Sequence, residues 1–280
     1  MARLFKWSEN KIAQLIREGR GKGTGPTYSP WVQIADFSSR GDSRRVFSRK
    51  TGRVHHLMST VEWWLFLLLE FSEDVIDIRE QYPLSRDDTG QIAVEFGVTH
   101  PRYPGTNVLT VMTVDFFVVR QLHGVRYVEL YDCKRTDDAE DVRTLEKLEI
   151  TRRFAEGVGI PHHLVFSSAL PKNRVRNLEW IRTADACQEE SEEDVDYYTQ
   201  HQARLLNNLA NYQRTCSLAQ YCEHYDSLVG AIPGTGLRIV RQLLLSRQLT
   251  TDLNQPDLAS SPIAMFKARN DNRPRLAVGG

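Results

Sequence analysis

Asp132, Cys133 and Lys134 close a β-branched and aromatic run, and Asp115 stands on the run before it. Two carboxylates beside a lysine offer oxygen ligands to a hard divalent cation and a positive charge next to them. With Glu62 upstream as a third carboxylate, that set suits metal-assisted hydrolysis of a phosphodiester. A D-x-K triplet at a strand end is also a common solvated terminus, so its neighbours decide its meaning.

Residues 110–119 (TVMTVDFFVV) predict one strand and residues 126–134 (RYVELYDCK) a second. If His123-Gly124 forms a two-residue hairpin turn, Leu122 pairs with Val125 and Asp115 falls opposite Asp132. Lys134 then projects from the same face as Asp132. Facing aspartates repel across a ladder, and a cation between them would remove that penalty. A bulge or a longer loop would shift the register by one and move a side chain to the other face.

Ser59-Thr60-Val61-Glu62 opens the apolar segment WWLFLLLEF, which predicts a buried helix. Ser59 and Glu62 fit a capping box, with Glu62 reaching back to the cap amide. A capped helix start is also a rigid mount for a ligand carboxylate, so both roles stay open. After Lys134 the chain predicts a polar loop over 135–141 and a helix over 144–156. Leu145, Leu148 and either Ile150 or Phe154 turn to the sheet, and Glu146 and Glu149 to solvent. Gly157 and Gly159 stop that helix. Residues 162–167 read as a buried strand in which His162 and His163 are ordinary strand residues.

The chain has 280 residues, 41% hydrophobic and 26% charged, with no net charge, which excludes global disorder and a uniformly basic coat. Residues 1–60 nevertheless carry twelve Lys/Arg against four Asp/Glu. Arg44, Arg45, Arg49, Lys50, Arg53, His55 and His56 are candidate phosphate contacts, or part of a solvated basic arm. Cys133, Cys187, Cys216 and Cys222 form no CxxC pair and suit reduced thiols in a cytoplasmic protein. The apolar run 61–71 is too short to span a bilayer and contains Glu62 and Glu70. Acidic residues 185–196 read as a linker or exposed helix start, and 269–280 as a tail.

The order of Glu62 helix, Asp115 strand, Asp132-x-Lys134 strand, helix and strand resembles the PD-(D/E)xK nuclease superfamily. Val114-Asp115 stands in place of Pro-Asp, and the sixteen residues between Asp115 and Asp132 suit that superfamily's central hairpin. Flanking motifs narrow the likeness. Gly19-Arg-Gly-Lys-Gly-Thr-Gly25, Tyr28-Ser-Pro-Trp31, Lys50-Thr-Gly-Arg-Val-His-His-Leu57, Asp77-Ile-Arg-Glu-Gln-Tyr-Pro-Leu84, His100-Pro101 and Arg143-Thr-Leu-Glu-Lys-Leu-Glu149 follow in order. Over residues 8–182 the chain resembles the TnsA family, the endonuclease subunits of heteromeric Tn-seven-type transposases. The glycine-rich stretch is not a P-loop, because no Gly-Lys-Ser/Thr follows a strand.

The resemblance implies an α/β fold: a restriction-endonuclease-like core, a mixed sheet flanked by helices, over 1–170. A mostly helical, winged-helix-like domain over 171–280 follows. It implies cleavage at the 5′ ends of a mobile element in double-stranded DNA, with a TnsB-like transposase cutting and joining the 3′ ends. A TnsC-like ATPase would dock on the C-terminal domain. It places the catalytic glutamate on Glu62, the aspartate on Asp115 and the lysine on Lys134. Some family members carry an amide where Asp132 stands. Glu62, Asp115, Asp132 and the Cys133 backbone carbonyl would bind one or two Mg²⁺, with Mn²⁺ a substitute. The expected setting is a bacterial cytoplasm, nucleoid-associated when active, with no membrane.

In the C-terminal part, 217–226 and 235–247 predict a helix pair, with wing strands at 248–253 and 262–266. Arg238, Arg241 and Arg247 are candidate DNA contacts there, and a small helical domain without a DNA role is the alternative. Residues 172–280 balance 13 Lys/Arg against 13 Asp/Glu, which leaves no strong electrostatic footprint. Two other readings of the whole chain stay open: a stand-alone restriction- or repair-type nuclease, and a non-catalytic adaptor between transposase and regulator.

Overall fold

In this computed structural model His123 and Gly124 both take left-handed backbone angles, φ 50° and 82°. This is the geometry of a two-residue primed turn, whose twist matches the flanking strands. The structure describes residues 7–36, 42–184, 192–210, 212 and 215–269, so Cys187, most of the acidic stretch and nearly all of the tail lie outside the described residues.

The chain divides into two units, Met1–Leu170 and Pro171–Gly280. In chain order the first holds α1 (Glu9–Arg17), β1 (Arg44–Ser48), β2 (Arg53–Leu57), α2 (Thr60–Phe71), β3 (Val75–Pro83) and α3 (Arg86–Phe96). It continues with β4 (Thr113–Leu122), β5 (Val125–Lys134), α4 (Val142–Gly157) and β6 (His162–Phe166). The second holds α5 (Lys172–Arg182), α6 (Glu192–Ala210), α7 (Leu218–Val229), α8 (Thr235–Leu245), β7 (Leu249–Thr250) and β8 (Lys267–Ala268).

The central sheet runs β3-β4-β5-β6. Its first two pairings are antiparallel and β5 pairs β6 in parallel. A parallel neighbour needs a crossover, which α4 supplies. Helices flank this mixed sheet in a restriction-endonuclease-like α/β core. Leu122 pairs with Val125 and Phe116 with Tyr131, the register the turn predicts; the paired ladder ends there, next to Asp115 and Asp132, where the Cys133 amide turns to the Asp115 carboxylate. Leu84, Met112, Val114, Leu130, Ile150 and Ala155 form one buried cluster among the strands, α3 and α4. On α4, Leu148 and Ile150 are buried while Leu145 is exposed. β4 begins at Thr113, so residues 110–112 of the predicted strand precede it. The strand at 162–166 is not buried as its apolar sequence suggests: it is the sheet edge, with His163 and Leu164 exposed.

The buried polar centre of the first unit is Glu80 on β3. Arg53 on β2 holds it with two bonds, Nη1 to Oε1 at 2.9 Å and Nη2 to Oε2 at 2.5 Å. His55 Nδ1 lies 2.8 Å from Oε2, Thr51 meets His55 Nε2 at 2.7 Å, and the His56 amide donates to Oε1 at 3.1 Å. Burial alone would raise this carboxyl, but hydrogen bonds from His55 and Arg53 hold it down at about 2. The network fastens the β1–β2 hairpin to β3.

The glycine-rich segment is a packed loop. Gly21 and Ser29 are hydrogen-bonded across it, Arg20 pairs with Asp36 at 2.9 Å, and a Cβ at Gly23 (φ 95°) would sit 2.3 Å from the Thr27 carbonyl.

In the second unit Tyr221, Tyr225, Leu205, Ile239 and Leu243 form the core. Asp226 accepts the Gly234 and Gly236 amides at 2.8 and 2.7 Å, capping α8. β7 and β8 pair as a short antiparallel ladder of two residues each, where a wing was expected. Its second strand falls at 267–268 rather than 262–266, because Ile263–Met265 turns as a 3-10 helix.

Replacing Arg53 by Ala should destabilise the protein by about 3–5 kcal/mol, because Glu80 would keep a buried charge without its main partner. Denaturant unfolding at neutral pH measures this, and a loss below about 1 kcal/mol would refute it.

Candidate active site

Asp115 lies near the start of β4, and both of its oxygens are held. Oδ2 accepts the Cys133 amide at 2.7 Å and lies 3.7 Å from Lys134 Nζ. Oδ1 accepts from Gln81 Nε2 at 3.3 Å. Lys134 Nζ also donates to the Cys133 carbonyl at 3.0 Å. Asp132 lines the same cavity as Asp115 and Lys134, and its Oδ2 lies 2.9 Å from His162 Nε2 on the neighbouring strand.

Glu62 stands in the first turn of α2. Ser59 caps the helix by accepting the Glu62 amide at 3.1 Å and returns its hydroxyl to Oε1 at 3.0 Å. Oε2 accepts the Met58 amide at 2.9 Å, one residue before the cap amide expected of a capping box. Glu62 is 4% exposed. Burial, and then the charge of Asp115, push its pKa up to about 8.

The rest of the cluster follows the same electrostatics. Burial raises Asp115, Lys134 pulls it down and Asp132 pushes it up, with the net shift upward. Burial opposes the Lys134 charge, yet Asp115 and Asp132 carry it above its ordinary value. Burial and the surrounding carboxylates lift the Cys133 thiol well above the ordinary range, leaving an inert thiol whose backbone is the useful part.

Asp115, Asp132, Lys134 and Gln81 open onto a cavity of about 720 Å³, to which α4 contributes Thr144 and Lys147. Among the described residues no three His, Cys, Asp or Glu side chains converge as a metal-holding group. The donor chemistry still fits a hard cation. Asp132 pushes up the pKa of Asp115 and Asp115 that of Glu62; such carboxylates, next to a backbone carbonyl, are oxygen donors whose repulsion a divalent ion relieves.

The basic candidates separate. Arg53 (7% exposed) and His55 (0%) are buried on Glu80, so they leave the phosphate-facing set. Lys50 donates to the carbonyls of Ser72 and Val75. His56 Nδ1 accepts the Ile34 amide at 3.3 Å. Arg44 stacks on Trp63, its guanidinium 5.1 Å from the ring centroid, while Arg45 and Arg49 are exposed. In the second unit Arg238 lies over Tyr198 and Arg241 over Trp180.

Two residues at the site escaped sequence reasoning. His162 sits where a parallel partner of β5 would bring it, but sequence does not show which strand becomes that partner. Gln81 is a polar residue inside a strand, and that oddity is its only sequence signal.

Residues 72–167 match the family described as TnsA-like endonuclease N terminal, and residues 170–253 match TnsA endonuclease C terminal. The chain belongs to the TnsA family. It is 41% identical over 175 residues to the transposon Tn7 transposition protein TnsA of Escherichia coli. That alignment covers 62% of this chain and 63% of the relative, so less than two thirds of the relative's length is spanned. The TnsA N-terminal match contains Asp115, Asp132 and Lys134 and begins after Glu62.

A carboxyl whose folded pKa is raised binds its proton more tightly folded than unfolded. The stability it contributes is present below its unfolded pKa and is lost as pH rises through about 8. In EDTA, Glu62→Gln should therefore be less sensitive than the parent to a rise from pH 5 to pH 9, and more stable than it at pH 9. Thermal unfolding across that range checks this; parallel curves would refute it.

Proposed function

We propose that this TnsA-family chain is the DNA endonuclease subunit of a Tn7-type transposition system, cleaving the 5′ ends of the element. One observation carries the reading. Asp115 is clamped between the Cys133 amide and the Lys134 ammonium, and its charge reaches a buried Glu62.

Glu62, Asp115, Asp132 and the Cys133 carbonyl would hold one or two Mg²⁺, or Mn²⁺ in its place. Such an ion, when bound, supplies charge neutralisation at the phosphate and a water of lowered pKa. Asp132 would contribute a carboxylate oxygen to this role, its Oδ2 lying 2.9 Å from His162 Nε2. Lys134, kept charged by Asp115 and Asp132, orients the attacking water and stabilises the negative charge that grows as the phosphodiester breaks. The buried walls of the cluster strengthen that interaction.

The substrate is double-stranded DNA at transposon ends. A TnsB-like transposase chooses the site and cuts the other strand, and a TnsC-like ATPase docks on the C-terminal unit. The work takes place in the cytoplasm at the nucleoid; among the described residues no helix is long and apolar enough to cross a membrane. Arg44, Arg45 and Arg49 on the β1–β2 hairpin are the positioning contacts to DNA, without reading sequence.

In a reconstituted excision assay with partner subunits, Asp115→Ala and Lys134→Ala should each slow 5′ cleavage by about 100-fold or more, with unfolding curves close to the parent's. A fully active Asp115→Ala protein would sink the assignment. Arg45→Ala should weaken DNA binding equally across sequences and lower the log–log salt slope by about 1; an unchanged slope would remove Arg45 from the interface.

A further inference from the structure

Among the described residues three non-glycine residues have positive φ: Gln81, His123 and Arg247. His123 makes the hairpin turn and Arg247 follows a helix end. Gln81 (φ 48°) lies within β3, where the chain does not reverse. A left-handed residue in a strand is strained and persists only where its surroundings over-determine it.

Those surroundings are present. The Trp31 amide donates to the Gln81 carbonyl at 3.2 Å. The residue before it, Glu80, is fixed through its side chain by Arg53 and His55, and through its carbonyl by the Tyr28 hydroxyl at 3.1 Å. The strain delivers a buried amide to the cluster. Gln81 Nε2 stands 3.3 Å from Asp115 Oδ1, and Gln81 Oε1 accepts the Thr113 hydroxyl at 3.1 Å. An ionised carboxylate only accepts, so the amide nitrogen must face it, and Thr113 holds the amide in that sense. With Cys133 on Oδ2, donors from the two strands beside β4 grip both oxygens of Asp115.

We propose that Gln81 is a positioning residue of the cleavage reaction. Its amide sets the rotation of the Asp115 carboxylate, and the left-handed backbone at position 81 serves to place that amide. The inference rests on the nuclease reading of the same site. Groups that orient a ligand carboxylate typically affect metal affinity or activity by about 10–100-fold.

The test uses the full chain with its partner subunits and two variants, Gln81→Gly and Gln81→Glu. Glycine adopts the left-handed backbone without strain, so a purely conformational role would leave Gln81→Gly as active as the parent. The expected result is a loss of about 10–100-fold in cleavage rate at saturating DNA, with DNA affinity unchanged. The Ca²⁺ concentration giving half of the metal-dependent rise in Tm, read on the chain without DNA, should increase by about 10-fold or more. Gln81→Glu keeps the length and the Thr113 partner but turns an acceptor toward Asp115, and should show the same losses. Parental cleavage and Ca²⁺ response in either variant would overturn the role of Gln81 while leaving the nuclease reading intact. A parent chain with neither metal-dependent cleavage nor a Ca²⁺ response would overturn both together.

Discussion

Glu80 keeps its charge where no water reaches it, and the first unit is arranged around that fact. A buried carboxylate has to meet donors on all sides, because desolvation otherwise favours the neutral form. Arg53, His55 and the His56 amide meet this one, and all come from a single hairpin strand. The pairing therefore fixes where the hairpin lies on β3. It also fixes the backbone next to Gln81, and through Gln81 the strand that carries Asp115.

Next to that neutralised charge stands a cluster with too little cation. Asp115 and Asp132 line one cavity with Lys134, the charge of Asp115 is felt at Glu62, and the consequences differ by neighbour. Glu62, capped by Ser59 and Met58, lies mostly under burial and the charge of Asp115 and is pushed toward its protonated form. Lys134 gains from the same crowd and holds its proton more firmly. The arrangement stores acceptors that a hard cation can use and keeps one ammonium beside them. The sheet around it stays apolar, with Val114, Phe116, Val118 and Leu130 buried.

What could be read from sequence was local. His123-Gly124 has the residue types of a primed turn, and the turn sets the register that runs up to Phe116 and Tyr131, the neighbours of Asp115 and Asp132. Ser59 before an apolar run marks a helix start, and the cap is there. What could not be read depended on distant partners. Arg53 and His55 look like surface charges in a basic segment until Glu80, from another strand, appears beneath them. The apolar residues 162–166 look buried because nothing local says that β6 is the last strand of its sheet. Gln81 owes its backbone angle to Trp31 and Glu80, and no periodicity reports such a residue. Residues 262–266 look like a strand, but Pro262 opens a 3-10 turn and the short strand forms at 267–268.

The β4–β5 hairpin also constrains how this chain can change in length. Residues added within the loop at its tip leave the two strands aligned. A single residue gained or lost in one strand, between the tip and Asp115, reverses the facing of everything beyond it. Two residues gained in one strand restore the facing but slide that strand by about 6.6 Å along its partner, carrying the carboxylate away from the Cys133 amide. Only matched additions to both strands keep the clamp. Between turn and site the hairpin can therefore evolve in paired steps, like a ladder lengthened one whole rung at a time.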